Sequence, residues 1–205
     1  MSLAVWFGFL LAAIVIAVTP GPGAVISMST GMRQGYRAAL VAILGLQTAL
    51  LAHVAIVAVG LGALLAASET AFSLLKLMGA GYLVWLGIQK WRAPPLPIDD
   101  EHSGTPRKGL FMQGLLVNLS NPKAIVFICA LVPQFIDPTG AQFPQYLIIA
   151  ATLCVTDLVV MSIYALAAAR LGSWFHQPEC VRLQNRIFGG LFFSAGALLG
   201  LSARN

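Results

Sequence analysis

Two stretches of this chain break an apolar helix where a bilayer would be deepest. One is Thr19-Pro20-Gly21-Pro22-Gly23, and the other is Asn118-Leu119-Ser120-Asn121-Pro122-Lys123. Each lies in the middle of a hydrophobic run long enough to cross a membrane. Proline and glycine there release backbone groups that lipid cannot satisfy. Such breaks persist only inside protein or beside a water-filled cavity. Two of them, at corresponding places in two halves of a chain, mark the expected binding site of a secondary transporter.

Composition agrees that the solvent is lipid. Of 205 residues, 59% are hydrophobic and 9% charged, against about 25% charged in soluble domains. Mean hydropathy is +0.86. Six spans are expected, near 3–31, 38–67, 70–91, 109–136, 145–170 and 184–203, each reaching the ~20 residues that cross a ~30 Å hydrocarbon core. Met1 to Ala24 has no Lys or Arg ahead of its apolar run, and the helical pattern continues beyond it, so it reads as a first span rather than a cleaved signal. The net charge of +5 sits in short loops between spans, which excludes a nucleic-acid surface. Cys129, Cys154 and Cys180 form no CxxC pair or His/Cys cluster, so they read as unpaired thiols and no metal site or cofactor is expected.

Lys and Arg set the orientation. The loops after spans 1, 3 and 5 carry nine: Arg33, Arg37, Lys90, Arg92, Arg107, Lys108, Arg170, Arg182 and Arg186. The opposite side carries only Arg204. This places those loops in the cytoplasm and both termini outside. The polar stretch 93–108, with Pro94, Pro95, Pro97 and the acidic run Asp99-Asp100-Glu101, reads as a solvated cytoplasmic linker.

The two halves resemble each other. Lys76, Gly79, Tyr82 and Gly87 in span 3 match Arg186, Gly189, Phe192 and Gly196 in span 6. The broken spans 1 and 4 correspond, as do His53 in span 2 and Asp157 in span 5. Each half has three spans, and an odd number reverses direction. The expected fold is therefore an all-α integral membrane protein of six transmembrane helices. It forms two inverted three-helix repeats, residues 1–92 and 109–205, with helices 1 and 4 broken near the midplane.

Several residues are candidates for chemistry. Asp157 lies at the centre of span 5, where an unpaired charge is costly. It is expected to face the interior and to bind an ammonium group or carry a coupling proton. Lys123 follows Pro122 at the centre of span 4, and is expected either to pair with Asp157 or to meet a substrate carboxylate. Asn121 suits an N-cap and Pro122 the first position of a second half-helix. A half-helix likewise restarts after Pro20 or Pro22. Both N-termini would aim free N–H groups and positive dipole ends at the midplane, where a carboxylate fits. His53 in span 2 is either a proton relay or a packed, hydrogen-bonded core residue. Gln47 and Thr48 stand one to two turns before it, with Thr48 and Gln47 candidates to line the same cavity. Gly196-x-x-x-Gly200 is a common close-packing pattern.

Four segments in order carry a family likeness: Thr19-Pro20-Gly21-Pro22; Gly31 to Ala39; Lys76 to Gly87; and Asn118-x-x-Asn121-Pro122-Lys123. Together they resemble the LysE/RhtB family of amino-acid exporters, nearly end to end. The resemblance implies six spans in the bacterial inner membrane and proton-driven export of amino acids such as lysine, arginine, threonine, homoserine or leucine. It implies site or gate roles for Pro20, Gly21, Pro22, Asn121, Pro122 and Lys123, and an acidic site at Asp157. The expected partners are an amino-acid substrate, a proton and membrane lipid, with assembly as a homo-oligomer left open. With the residue reading added, the substrate site comprises Thr19, Pro20, Gly21, Pro22, Gly23, Asn118, Asn121, Pro122, Lys123 and Asp157, and proton coupling falls to Asp157 and His53. Two other classes stay open. A metal or inorganic-ion exporter would group Cys, His and carboxylates at ligand spacing, and His53 with Asp157 are too few. An intramembrane enzyme would use Ser27 or Ser29 with His53 and Asp157, but no HExxH or GxSxG motif supports it.

Overall fold

The computed structural model describes residues 1–67, 69–92 and 109–171, and in the C-terminal stretch residues 179, 182, 183, 185–187, 189, 190, 193, 194, 196 and 197. Within helices, the side chains of residues 61–67, 69–76, 79, 83, 86, 90 and 171 are outside this description. The linker 93–108, the Lys76 side chain, Cys180, Gly200 and Arg204 therefore also lie outside it. Among the described residues up to 171, seven α-helices run in order: α1 (Leu3–Val18), α2 (Pro22–Gln34), α3 (Tyr36–Ala67), α4 (Glu69–Arg92), α5 (Leu110–Leu119), α6 (Pro122–Leu131) and α7 (Gln142–Leu171). A 3-10 turn, Val132–Phe135, extends α6, and the described residues beyond 179 are helical.

Both expected breaks are present. The α1–α2 pair bends by 55° and the α5–α6 pair by 53°. Each pair is long and apolar enough to be one broken span, and the unbroken stretches Tyr36–Gly60 and Gln142–Arg170 are long and apolar enough to cross, which makes up to four candidate spans among the described residues. Local chemistry sets the joints. Pro22 and Pro122 each take the first turn of the restarting helix, where their missing N–H costs nothing. Gly35, with φ +81°, closes α2 in the left-handed region that glycine alone enters freely.

The helices pack through small residues, as lipid requires. Ala38, Ala42, Gly45 and Ala49 form one buried stripe of α3 at helical spacing. A Cβ on Gly45 would strike the Phe111 carbonyl, and one on Gly114 would strike that of Ala42. This is main-chain contact between α3 and α5. Asn118 Nδ2 extends it by donating to the Leu46 carbonyl at 2.8 Å. Contacts such as these also reveal direction. Trp6 donates to Thr152 and Tyr164 to Val18, so α1 and α7 run parallel. Gly45 with Phe111, Ala42 with Gly114 and Leu46 with Asn118 mark one close crossing of α3 and α5. Gln47 with Asp157 and Tyr36 with Ser162 make α3 and α7 antiparallel. Gly87 faces Gly189 and Ala80 faces Gly196, so the C-terminal helical stretch runs against α4.

Two apolar clusters fill the interior. One gathers Phe9, Val54, Phe127, Tyr146 and Ile149. The other gathers Ile26, Ile43, Leu46, Leu110 and Met161. Large side chains such as Leu3, Phe7, Val59, Phe143 and Val155 cover the outside, an apolar surface suited to lipid.

Candidate functional site

The breaks meet each other at the boundary between the two apolar clusters. There a cavity of about 50 Å³ is lined by main chain at Gly21 and Gly23, by Asn118, Asn121, Lys123 and Asp157, and by apolar walls including Leu46 and Leu153. It has room for a few waters but falls well short of the ~300 Å³ at which ligand pockets usually begin.

Ending α1 at Val18 orphans its last carbonyls. Side chains from the second half of the chain take them up. Lys123 Nζ donates to the carbonyls of Ile16 at 2.9 Å and Thr19 at 2.6 Å. The Tyr164 hydroxyl donates to Val18 at 2.5 Å. The Val15 carbonyl receives both the amide and the hydroxyl of Thr19. The alternatives for Lys123 were Asp157 or a substrate carboxylate. Its ammonium grips the negative end of α1, which sits better with a cation than the start of its own helix α6. Gly21 is part of this fit, since a Cβ there would lie 3.2 Å from Nζ.

The two restarting helices differ in how they begin. Asn121 caps α6, its Oδ1 accepting from the Lys123 amide at 3.1 Å, and its Nδ2 donates to Asn118 Oδ1 at 3.2 Å. At α2 the N-cap is Gly21, which has no side chain to offer. The Gly23 and Ala24 amides precede the first intrahelical bond, Val25 to Gly21, and both residues line the cavity. The start of α2 is thus an open set of donors with a positive dipole end.

Asp157 projects from α7 into the same space. Gln47 Nε2, from α3, donates to its Oδ2 at 2.6 Å, and the Lys123 charge acts on it across the cavity. His53 is elsewhere: its ring faces the Leu119 carbonyl, its Nδ1 is buried without a hydrogen-bond partner, and it is not in the cavity wall. Thr48 turns outward and bonds to its own helix at Leu44. The Ser27 and Ser29 hydroxyls donate to the Gly23 and Ile26 carbonyls of their own helix α2. The structure adds Tyr164 to the expected set. It lies two turns beyond Asp157 on α7, and that spacing was its only sequence signal.

These features define a membrane protein in which two helix interruptions, one from each half of the chain, enclose a small cavity whose mostly apolar wall carries a few polar groups. By its sequence the chain belongs to the LysE family: the LysE type translocator pattern matches residues 14–203. It is 46% identical to a homoserine/homoserine lactone efflux protein of Salmonella typhimurium over 98% of this chain and 97% of that one. It is 44% identical to an uncharacterized membrane protein of Vibrio cholerae over 97% and 98%. A leucine efflux protein of Enterobacter sp. is 26% identical over 93% and 92%. No solved structure matches the chain.

Proposed function

We propose that the protein exports small, neutral amino acids or their close derivatives across the bacterial inner membrane in exchange for protons. The observation that carries this reading is the cavity where both breaks converge, with a carboxylate on one wall and an uncapped helix start on another. A free amino acid offers the complementary pair. Its ammonium suits Asp157, and its carboxylate or ester carbonyl suits the Gly23 and Ala24 amides. The relatives named for homoserine, homoserine lactone and leucine efflux favour cargoes that share an α-ammonium beside a carbonyl carbon. One carboxylate and one lysine line the cavity, so a neutral side chain is favoured over a charged one.

Two inverted repeats of three spans, 1–92 and 109–205, account for the helix directions. Exchange of the halves maps the α1–α7 contact on to the α5–α3 contact, and both contacts are present. Rocking one repeat against the other would open the cavity to each side in turn. Lys123 is a gate in this scheme, because its bonds to Ile16 and Thr19 tie α6 of one repeat to α1 of the other. The proton carrier is Asp157; His53 takes the packed, hydrogen-bonded role. The basic loops face the cytoplasm and the termini the periplasm.

Counterflow of labelled L-homoserine into proteoliposomes loaded with unlabelled amino acid tests this, with an imposed pH gradient as driving force. Uptake that responds to the gradient is expected. No flux of homoserine, homoserine lactone or leucine, from protein shown to be folded, refutes it.

A further inference from the structure

Gln47 is a buried side chain with half of its hydrogen bonding unmet. It is 8% exposed. Its Nε2 is committed to Asp157 at 2.6 Å, while its Oε1 is buried with no partner. Buried acceptors are seldom left empty, and an exception calls for a physical reason. The two heteroatoms of a carboxamide share one carbon, so the empty oxygen lies beside the Asp157 carboxylate. Gln47 itself stands just behind the cavity wall, to which its α3 neighbours Leu46 and Leu50 and its partner Asp157 belong. A carboxylate and a carbonyl oxygen side by side suit a cationic donor with several N–H groups. They are too few for a metal, and no group of three His, Cys, Asp or Glu stands among the described residues.

Resting on the export reading above, we propose that Gln47 is a specificity residue: its Oε1 accepts a hydrogen bond from the cargo ammonium, and turning its amide makes cargo and proton exclude each other. While Asp157 is ionised, Nε2 holds the carboxylate and Oε1 keeps no protein partner, so the cargo can take it once the wall opens. When Oδ2 takes a proton from the outside solution, its O–H and the Gln47 N–H become two facing donors. The amide turns end for end, and Oε1 accepts the Asp157 proton. That one oxygen is then unavailable to an ammonium, and the carboxylate charge is gone. The only bond made and broken is O–H on Asp157. The titratable groups around this pair are Lys123 from α6, Cys154 and Tyr164 from α7 itself, and His53 further along α3. The α1 and α5 helices contain no titratable side chain, and α2 has only Arg33, in its last turn.

The test is calorimetric binding to the purified full chain in detergent, with L-homoserine and with 4-hydroxybutanoate, the same molecule lacking its amino group. Wild-type affinity for L-homoserine is expected to fall as pH is lowered, with a proton released on binding. Gln47→Met preserves shape without polar atoms. It is expected to weaken L-homoserine roughly ten- to a hundredfold, the loss of one hydrogen bond to a charged group, and to leave 4-hydroxybutanoate unchanged. Gln47→Glu, which keeps an acceptor in place, is expected to restore L-homoserine binding. Should the Met variant not stay monodisperse, Gln47→Asn carries the same expectation, because it draws the amide back by one methylene. Wild-type homoserine affinity in Gln47→Met, or equal losses for both ligands without rescue by glutamate, overturns the proposal. A wild-type chain that transports homoserine while Gln47→Met transports it with unchanged KM overturns this inference alone. A folded wild type that binds neither homoserine, its lactone nor leucine removes the export reading as well.

Discussion

Replacing Lys123 by methionine measures how far one side chain holds the two breaks together. The ammonium makes charge-assisted bonds to the Ile16 and Thr19 carbonyls at 2.9 and 2.6 Å. Each such bond contributes about 1.5–3 kcal/mol, and its loss leaves a buried carbonyl unsatisfied. The gross loss is therefore roughly 3–6 kcal/mol for the pair. Methionine no longer requires a buried ammonium to be desolvated, which returns part of it and brings the net to roughly 2–4 kcal/mol. For a chain of this size that is a fall in Tm of roughly 4–16 °C. Thermal unfolding in detergent, read by thiol labelling of the half-buried Cys129 and Cys154, supplies the number. Amide exchange should rise first around residues 16–19, where the lost bonds end. A Lys123→Met protein with wild-type Tm and wild-type exchange at 16–19 would refute the claim that this lysine closes the break.

Three further outcomes follow from the same contacts. Asp157→Asn keeps an oxygen for the Gln47 amide, so the protein is expected to fold and purify normally while pH-driven counterflow drops to background; wild-type flux removes Asp157 from the mechanism. Gly114→Ala forces a methyl into the Ala42 carbonyl and is expected to cost about 1–3 kcal/mol, seen as a lower Tm; an unchanged Tm denies the main-chain contact of α3 with α5. In the loop before α7, the hydroxyl of Thr139 and then its amide bond Asp137 Oδ1 and hold that carboxyl below the usual carboxylate range. A lowered folded value means the turn is supported above the ordinary carboxylate range and loses support as pH falls through the lowered value. Thr139→Val is expected to move that loss to higher pH, and an unshifted exchange profile for residues 137–141 contradicts it.

The breaks were legible in the sequence because they are local. Proline removes a donor and fixes φ, so Pro22 and Pro122 could only open a helix turn or interrupt one, and Asn121 one residue earlier made the cap readable. The apolar periods around them set an all-helical membrane chain, and the family likeness ran through the same residues. The partner of each polar group was not legible. Helical spacing puts Lys123, Gln47, Asp157 and Tyr164 on faces, but the face each one meets depends on which helices pack and in which direction. Only the tertiary structure brought Lys123 to the end of α1, Tyr164 to Val18 and Gln47 to Asp157, and turned His53 away to Leu119. The reason is range. Backbone preferences act over a few residues, whereas these contacts join the two halves of the chain and are chosen by the close approach of main chain at Gly45, Gly114 and Gly31.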